Sequence, residues 1–533
     1  QPGTRSYARS WIRDGALTRE TMDSSQGGMD DCRGSRVGPS ATGDAEALAR
    51  RVLSWCGMPI VSLRPSALAP LCVALLCACP GKSAGDTDTP DTSDSTSGAS
   101  TDPTGGGEAV RPNWHEDIAP VVAEHCQSCH VDGGIAPFSM ETYALTKDWA
   151  GLIASDVAAG IMPPWHAIET AECDPGRTWK HDARLAPELK DLFQKWSDAG
   201  APEGDPKLAA PLPTPPSLDL PDPTTTVTMT GSLTIDKVGN ALDQFHCISL
   251  DPGNAEDVYL TGMQVIPGNR RIAHHVVIYV DEAGESASWP DGLKKDCGGG
   301  PGLSGGSRMI GAWVPGGLPM EPPTDVGIPL KAGSRLVFNM HYHATGGGPE
   351  IDDKTGLAMR WTTTPPAWIS LFELLGEPGN GDSLTPPLLI PAGEKDHVEE
   401  YVWTVSNGGS MFPDSIEARV WTIGPHMHKI ATGMRVWVED RDTAADSCLV
   451  EAPKYDYNWQ RLYAYDGALD QMLRVKAGDK IHIRCVFDNT LANPGVVEAL
   501  AEVGLKDPVD VAVGEGTLDE MCIGGIGVAI KTP

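Results

Sequence analysis

The chain has 533 residues, with 41 basic and 72 acidic side chains and a formal net charge of −31. So acidic a surface excludes nucleic acid as a partner, because a phosphate backbone needs a basic footprint. Glycine and proline number 60 and 45 while aromatics make up only 6%, so turns and linkers are abundant and a purely helical bundle is excluded.

Residues 1–57 show no clear periodicity and read as an over-extended start without a fold. No apolar stretch reaches the roughly 18 residues that span a bilayer. From Met58, the segment to Cys79 carries a basic Arg64, an apolar core and small residues before a cysteine, the make-up of a secretory signal. Its end, Leu76-Cys77-Ala78-Cys79, resembles a bacterial lipobox. Cys79 is then the expected lipidated residue of a periplasmic or outer-membrane lipoprotein of a Gram-negative cell, touching the membrane only through that anchor. An ordinary signal peptide and a buried strand are the alternatives. Residues 80–110 have almost no apolar side chain and read as a disordered tether. Residues 201–224 hold eight prolines and form an expected extended strut. The two linkers isolate a module at 111–200.

Within that module Cys126-Gln-Ser-Cys129-His130 matches the c-type haem attachment pattern. Two thiols at this spacing add to the haem vinyls, and the adjacent imidazole is placed to bind iron. A redox-active CxxC is the alternative, but no thioredoxin-like pattern surrounds it. Asp117 to His125 can form a helix leading into the motif. Pro187 to Ala199 is an amphipathic helix, with Leu189, Leu192, Phe193 and Trp196 on one face. The module resembles a small class I cytochrome c, an all-α domain in which first and last helices cross beside the haem. That resemblance implies Met162 as the distal ligand, with His125, His166 and His181 as alternatives, and electron delivery as the task.

Beyond residue 224 the pattern changes to short β-rich runs separated by Gly, Pro and Asp turns: Thr225 to Ile235, Asp257 to Val265, Ala273 to Val280, Ser334 to Tyr342, Ser415 to Ile423, Met434 to Val438, Lys480 to Phe487 and Ile523 to Ile530. Runs of this kind predict all-β sandwiches. Three histidine clusters lie among them: His274-His275, then His341 and His343, then His426 and His428. Histidines at i and i+2 of a strand share a face, so one metal reaches both. Adjacent histidines point to opposite faces unless a strand end, twist or bulge intervenes.

The order HH, HYH, HMH and then Asp519-Glu520-Met521-Cys522 resembles the type II copper-dependent monooxygenases, peptidylglycine α-hydroxylating monooxygenase and dopamine β-monooxygenase. The similarity runs over about 225–533 and includes Asp243 to Cys247 and Lys480 to Phe487. It implies two copper sandwiches of jelly-roll type, 225–370 and 371–533, with a wet cleft between them. His274, His275 and His341 would bind an electron-transferring copper. His426, His428 and Met521 would bind a second copper where oxygen is activated. Periodicity alone leaves His341 and His343 equivalent; the resemblance selects His341. Met472 is the alternative thioether, and zinc the alternative metal, though two histidines and a methionine make a poor zinc set. A soft thioether favours Cu(I).

Six cysteines remain once the pre-sequence, Cys79 and the haem thiols are set aside, and an oxidising compartment allows them to pair. The resemblance implies a Cys485–Cys522 disulfide. The other four partners are open, with Cys173 a candidate for a free thiol. The whole therefore reads as an oxidoreductase that uses O2 and an external electron donor, relayed through haem, to hydroxylate a C–H bond of a small organic or peptide-like substrate. A non-catalytic copper-binding or electron-transfer lipoprotein and a zinc hydrolase with an appended cytochrome are the alternatives.

Overall fold

The computed structural model describes residues 111–532 apart from 133, 135, 216, 218, 240, 378–381, 384–386 and 406–417. The signal segment, Cys79 and the tether lie outside the described residues.

The helices form where the sequence caps them. Asn113 accepts a hydrogen bond from the Glu116 amide and opens a short helical turn, Trp114–Ile118, that runs into α1, Ala119–His125. The next longer helix, α2 (Ala150–Ala159), ends at Gly160, whose φ of 72° suits a residue without a Cβ. In α3 (Pro187–Asp198) proline occupies the first turn, where its missing N–H costs nothing. Phe193 and Trp196 of α3 are buried against Ile118, Val122, Ile153 and Val157. The Trp196 indole donates to the Pro202 carbonyl at 3.1 Å, which starts the proline-rich strut on its way. The strut does not stand free. Ala210 bonds His115 at 3.0 Å, and buried Leu220 donates its amide to the Gln264 side chain at 2.7 Å.

The rest of the chain is mostly β. The first sandwich packs a five-stranded sheet on the start of a nine-stranded one. Its strands are β1 (Thr225–Thr228), β2 (Asp243–Leu250), β3 (Val258–Ile266), β4 (Ala273–Asp281), β5 (Leu293–Lys294), β6 (Arg308–Trp313), β7 (Val326–Leu330), β8 (Arg335–His343) and β9 (Gly356–Thr362). The five-stranded sheet runs β5-β2-β8-β4-β6. In β4, Val276, Ile278 and Val280 enter the core, which leaves His275, Val277 and Tyr279 on the outer face.

The second sandwich comprises β10 (Trp368–Glu377), β11 (Asp382–Ser383), β12 (His397–Thr404), β13 (Ala418–His426), β14 (Ala431–Glu439), β15 (Asp446–Ala452), β16 (Tyr463–Ala464), β17 (Leu473–Val475), β18 (Lys480–Phe487) and β19 (Cys522–Lys531), with helix α4 at Pro494–Glu502. One of its sheets is β11-β12-β18-β14-β15. The other continues the first sandwich without a break, as β1-β9-β3-β7-β10-β19-β13-β16 with β17 also on β13. The join is a parallel pairing of β7 with β10, Val326 opposite Trp368 and Gly327 opposite Ile369. A Cβ at Gly327 would lie 2.7 Å from Tyr259 Cβ, so the join needs glycine for close approach.

Two features depart from the sequence reading. The stretch 164–183 does not stay with its helices. Trp165, Ala167 and Trp179 enter the core of the second sandwich, and backbone bonds tie Ile168 to Glu451 and Lys180 to Ala464. Cys173 is not free: it is bridged to Cys448 on β15. The physical reason is apolar content, since two tryptophans in a loop bury more surface against a large sheet than against three short helices. The other bridges are Cys247–Cys297 and Cys485–Cys522. Among the described residues no helix is long and apolar enough to cross a membrane.

Replacing Cys173 and Cys448 by alanine opens a link of 275 residues in sequence separation. Loss of about 2–5 kcal/mol is expected for a native bridge. Thermal unfolding should shift down, and limited proteolysis should cut first within 164–183. An unchanged cleavage pattern would show that the tryptophans alone hold this strap.

Candidate metal centres

Strands β4 and β8 are antiparallel neighbours in which His275 faces His341 directly. The register shifts between Ala273, opposite Tyr342, and His275, opposite His341. His274 is the extra residue of this bulge, which lets both adjacent histidines turn to one face. The Nδ1 atoms then converge, at 3.2 Å between His274 and His275 and 3.3 Å between His275 and His341. These three residues form a group that could hold a metal ion.

The remaining ring nitrogens decide which atom each imidazole offers. His341 Nε2 lies 2.9 Å from Asp243 Oδ1, and His274 Nε2 lies 2.7 Å from the Tyr457 hydroxyl. A proton held on Nε2 leaves the lone pair on Nδ1. His343 does not join the group. Its Nδ1 binds the same Asp243 oxygen at 2.8 Å, while Thr517 donates to Oδ2 at 2.7 Å. Burial raises the Asp243 carboxyl, but the bonds from His341 and His343 outweigh it and hold the group below the carboxylate range.

The second set is built by β13 and β19, antiparallel with His426 opposite Ile523. His428 and Met521 lie just beyond the ends of these strands, where both of their amides donate to the Glu520 carboxylate. His426 Nδ1 donates to Gln460 Oε1 at 2.6 Å and His428 Nδ1 to the Asp519 carbonyl at 2.9 Å. Each ring is left with Nε2 as a lone pair, and Met521, only 4% exposed, lines the same cavity as His426. Burial lowers His426 to about 4 and His428 to about 3, so both are neutral imidazoles at ordinary pH. Glu520, pushed up to about 8 by burial, accepts the amides of His428 at 2.7 Å and Ile430 at 2.9 Å and fixes the turn. The Cys485–Cys522 bridge anchors the residue next to Met521. Met472 is elsewhere, beside β17, which pairs with the opposite end of β13.

The two sets abut. The rings of His275 and His426 lie 5.9 Å apart, and Tyr457 stacks on His274 at 5.1 Å while its ring centre is 5.9 Å from that of His428. The two sets thus approach one another at His275 and His426. A cavity of about 360 Å³ opens to one side, lined by His275, His426, Met521, Trp313, Phe372 and Arg461 among others. Sequence reasoning missed Tyr457 and Gln460, which carry no spacing signal. It quoted Asp243 and Glu520 within motifs without giving them a task.

In the helical part Cys126 and Cys129 are free thiols next to His130. His130 Nδ1 lies 2.9 Å from the Phe138 carbonyl, so Nε2 is the free nitrogen. Met162 lies half-buried in the loop that leaves α2. Of its alternatives, His125 is paired with Glu124 at 3.9 Å, His166 lies against Tyr455, and His181 lines the cavity.

A double β-sandwich with two abutting donor sets is thus the class of molecule defined here. No family model matches the chain. It is 29% identical over 102 residues to DBH-like monooxygenase protein 2 of Mus musculus, which covers 19% of this chain and 16% of that protein. The chain thus matches about a sixth of the length of this curated relative. Among solved structures, the major capsid protein P2 of bacteriophage PM2 overlaps 57% of this chain and 98% of its own, at TM-score 0.23 and 9% identity. The PBSX exported protein XepA overlaps 51% and 89%, at TM-score 0.08 and 10% identity.

Copper titration of His341→Ala and His343→Ala separates a ligand from a supporting residue. His341→Ala should abolish binding at the three-histidine set. His343→Ala should retain it with affinity about 10–100-fold weaker, the usual effect of losing an outer partner. Equal loss in both would place His343 among the ligands.

Proposed function

We propose that this chain is a copper-dependent monooxygenase that hydroxylates a C–H bond of an organic substrate with O2, drawing electrons from an external donor through a c-type haem in residues 111–200. The observation that supports it most is a three-histidine group able to hold a metal ion, with one of its members, His275, lining a single cavity together with His426 and Met521. The similarity to a DBH-like monooxygenase points the same way.

The groups present fit the cofactors this reading requires. Five imidazoles and a thioether suit copper and make a poor zinc set, since methionine is soft and favours Cu(I). Two free thiols followed by a histidine whose Nδ1 is already bonded suit a covalently held haem. Copper bound by His274, His275 and His341 and by His426, His428 and Met521 supplies one-electron chemistry and the reduction of O2. Cys126, Cys129, His130 and Met162 would hold a haem, which would supply reducing equivalents one at a time.

The protein's own share is orientation and exclusion of water. Asp243, Tyr457, Gln460 and the Asp519 carbonyl each hold one histidine nitrogen, so the opposite nitrogens are aimed before any metal arrives. Trp313, Phe372 and Leu374 give the cavity an apolar wall that holds a substrate C–H beside Met521 and keeps bulk water out. The strap 164–183 brings residues of the haem-motif module to the same cavity, at Lys180 and His181. The three disulfides accord with export, and a lipid anchor at Cys79 would hold the protein at a periplasmic membrane face.

Metal and haem analysis of the purified protein tests this reading. Two coppers and one haem per chain are expected, with one copper lost or weakened in each of Met521→Ala and His426→Ala. Zinc in their place, or no metal, overturns it. Haem reoxidation should be faster with copper and substrate present than without them; equal rates would remove the relay.

A further inference from the structure

A pair of stacked rings leads from the CxxCH motif to solvent. His130 Nδ1 lies 2.9 Å from the Phe138 carbonyl, and the two ring centres are 4.7 Å apart. Phe138 in turn stacks on Trp149 at 4.4 Å, with only 13° between the planes. Trp149 nevertheless keeps 38% of its surface exposed. The other four tryptophans of the module, Trp114, Trp165, Trp179 and Trp196, are at most 5% exposed. Leu145, four residues before Trp149 in the same helical run, is 49% exposed. Residues four apart share a helix face, so the two side chains form one apolar patch. A ring held firmly by a stack and still open to solvent loses little entropy on contact, and tryptophan is a frequent anchor of protein interfaces.

The charge around the patch is one-sided. Residues 124–149 hold four acids, Glu124, Asp132, Glu141 and Asp148, against one lysine, Lys147. That lysine lies over the Tyr143 ring at 5.7 Å, while Asp132, Glu141 and Asp148 are exposed. We propose that this patch is the docking face for a one-electron carrier protein with a basic rim, and that electrons enter through Trp149 and Phe138 toward His130. The carrier loses one electron and the haem held by Cys126, Cys129 and His130 gains it; no bond forms or breaks and no proton moves. Opposite charges on the two rims speed encounter and weaken with salt, while the apolar centre fixes the docked position. The chain's net charge of −31 favours a basic carrier at long range as well. The inference rests on the haem of the proposed function and is independent of its copper.

The test uses the full chain as isolated and a strongly basic cytochrome c as probe. Calorimetry follows binding, and absorption follows electron exchange in whichever direction the potentials favour. The wild type should bind the probe at low ionic strength and release it as salt rises. Trp149→Ala should weaken binding at least about tenfold, and Trp149→Phe should keep part of it. Asp148→Lys should slow association, whereas Glu256→Lys, the same charge change at an exposed acid of the first sandwich, should not. Ascorbate should reduce the haem of wild type and Trp149→Ala at the same rate, since a small reductant needs no docking face. Absence of binding at low salt overturns the proposal, as do equal effects of Asp148→Lys and Glu256→Lys, or electron exchange untouched by Trp149→Ala. Equal slowing of ascorbate and probe in Trp149→Ala also overturns it, because the residue would then serve only the fold of the module. Binding that depends on Trp149 in a protein without haem sustains the docking face and sinks the relay. A haem and two coppers with no bound probe does the reverse.

Discussion

The second sandwich supplies side chains that fix histidines of the first, and the site depends on these bonds. Tyr457 belongs to the second sandwich and binds His274 of the first; Thr517, also of the second, donates to the Asp243 that holds His341. Such bonds have value only if the two sandwiches keep one relative position to within a fraction of an ångström. The parallel pairing of β7 with β10 provides that constraint, since it makes one nine-stranded sheet of what would otherwise be two neighbouring domains. A hinge between independent sandwiches would leave buried hydroxyl and imidazole groups unpaired, at about 1–3 kcal/mol each.

The same logic explains the covalent links. Cys485–Cys522 ties β18 to the first residue of β19, directly after Met521. Glu520 gathers the amides of His428, Ile430 and Met521, so the segment before the thioether is tied to the one that carries the histidine. Cys173–Cys448 performs a comparable service for the strap, where Trp179 stacks on Tyr465 at 4.8 Å and Lys180 reaches the cavity. A small helical module with few core residues gains its firm place by lending two tryptophans to a larger core.

Charge and burial are arranged so that donors stay neutral in an acidic protein. His274, His275, His426 and His428 are all lowered, chiefly by burial and then by one another. Crowding these imidazoles together penalises protonation of all four, which keeps lone pairs available. Asp243 is the counterweight, a carboxylate shared by two histidines rather than aimed at the metal position.

Much of the chemistry was legible in the residues alone. The CxxCH string and the three histidine clusters are local patterns, whereas Met521 was implied only by a family resemblance, and the alternation in β4, β8 and β18 is a period-two signal that strand geometry imposes directly. The amphipathic helix at Pro187 was legible for the same reason, its apolar face being set by 3.6 residues per turn. What local pattern leaves open is which nitrogen points where. Periodicity treats His341 and His343 as equals; only Asp243, nearly a hundred residues away, separates them. The bulge at His274, the Cys173–Cys448 bridge, the supporting Tyr457 and Gln460, and the approach of His275 to His426 all arise from pairings distant in sequence. Spacing carries no trace of such pairings, because they are set by how sheets stack and join, and that was decided by the tertiary structure alone.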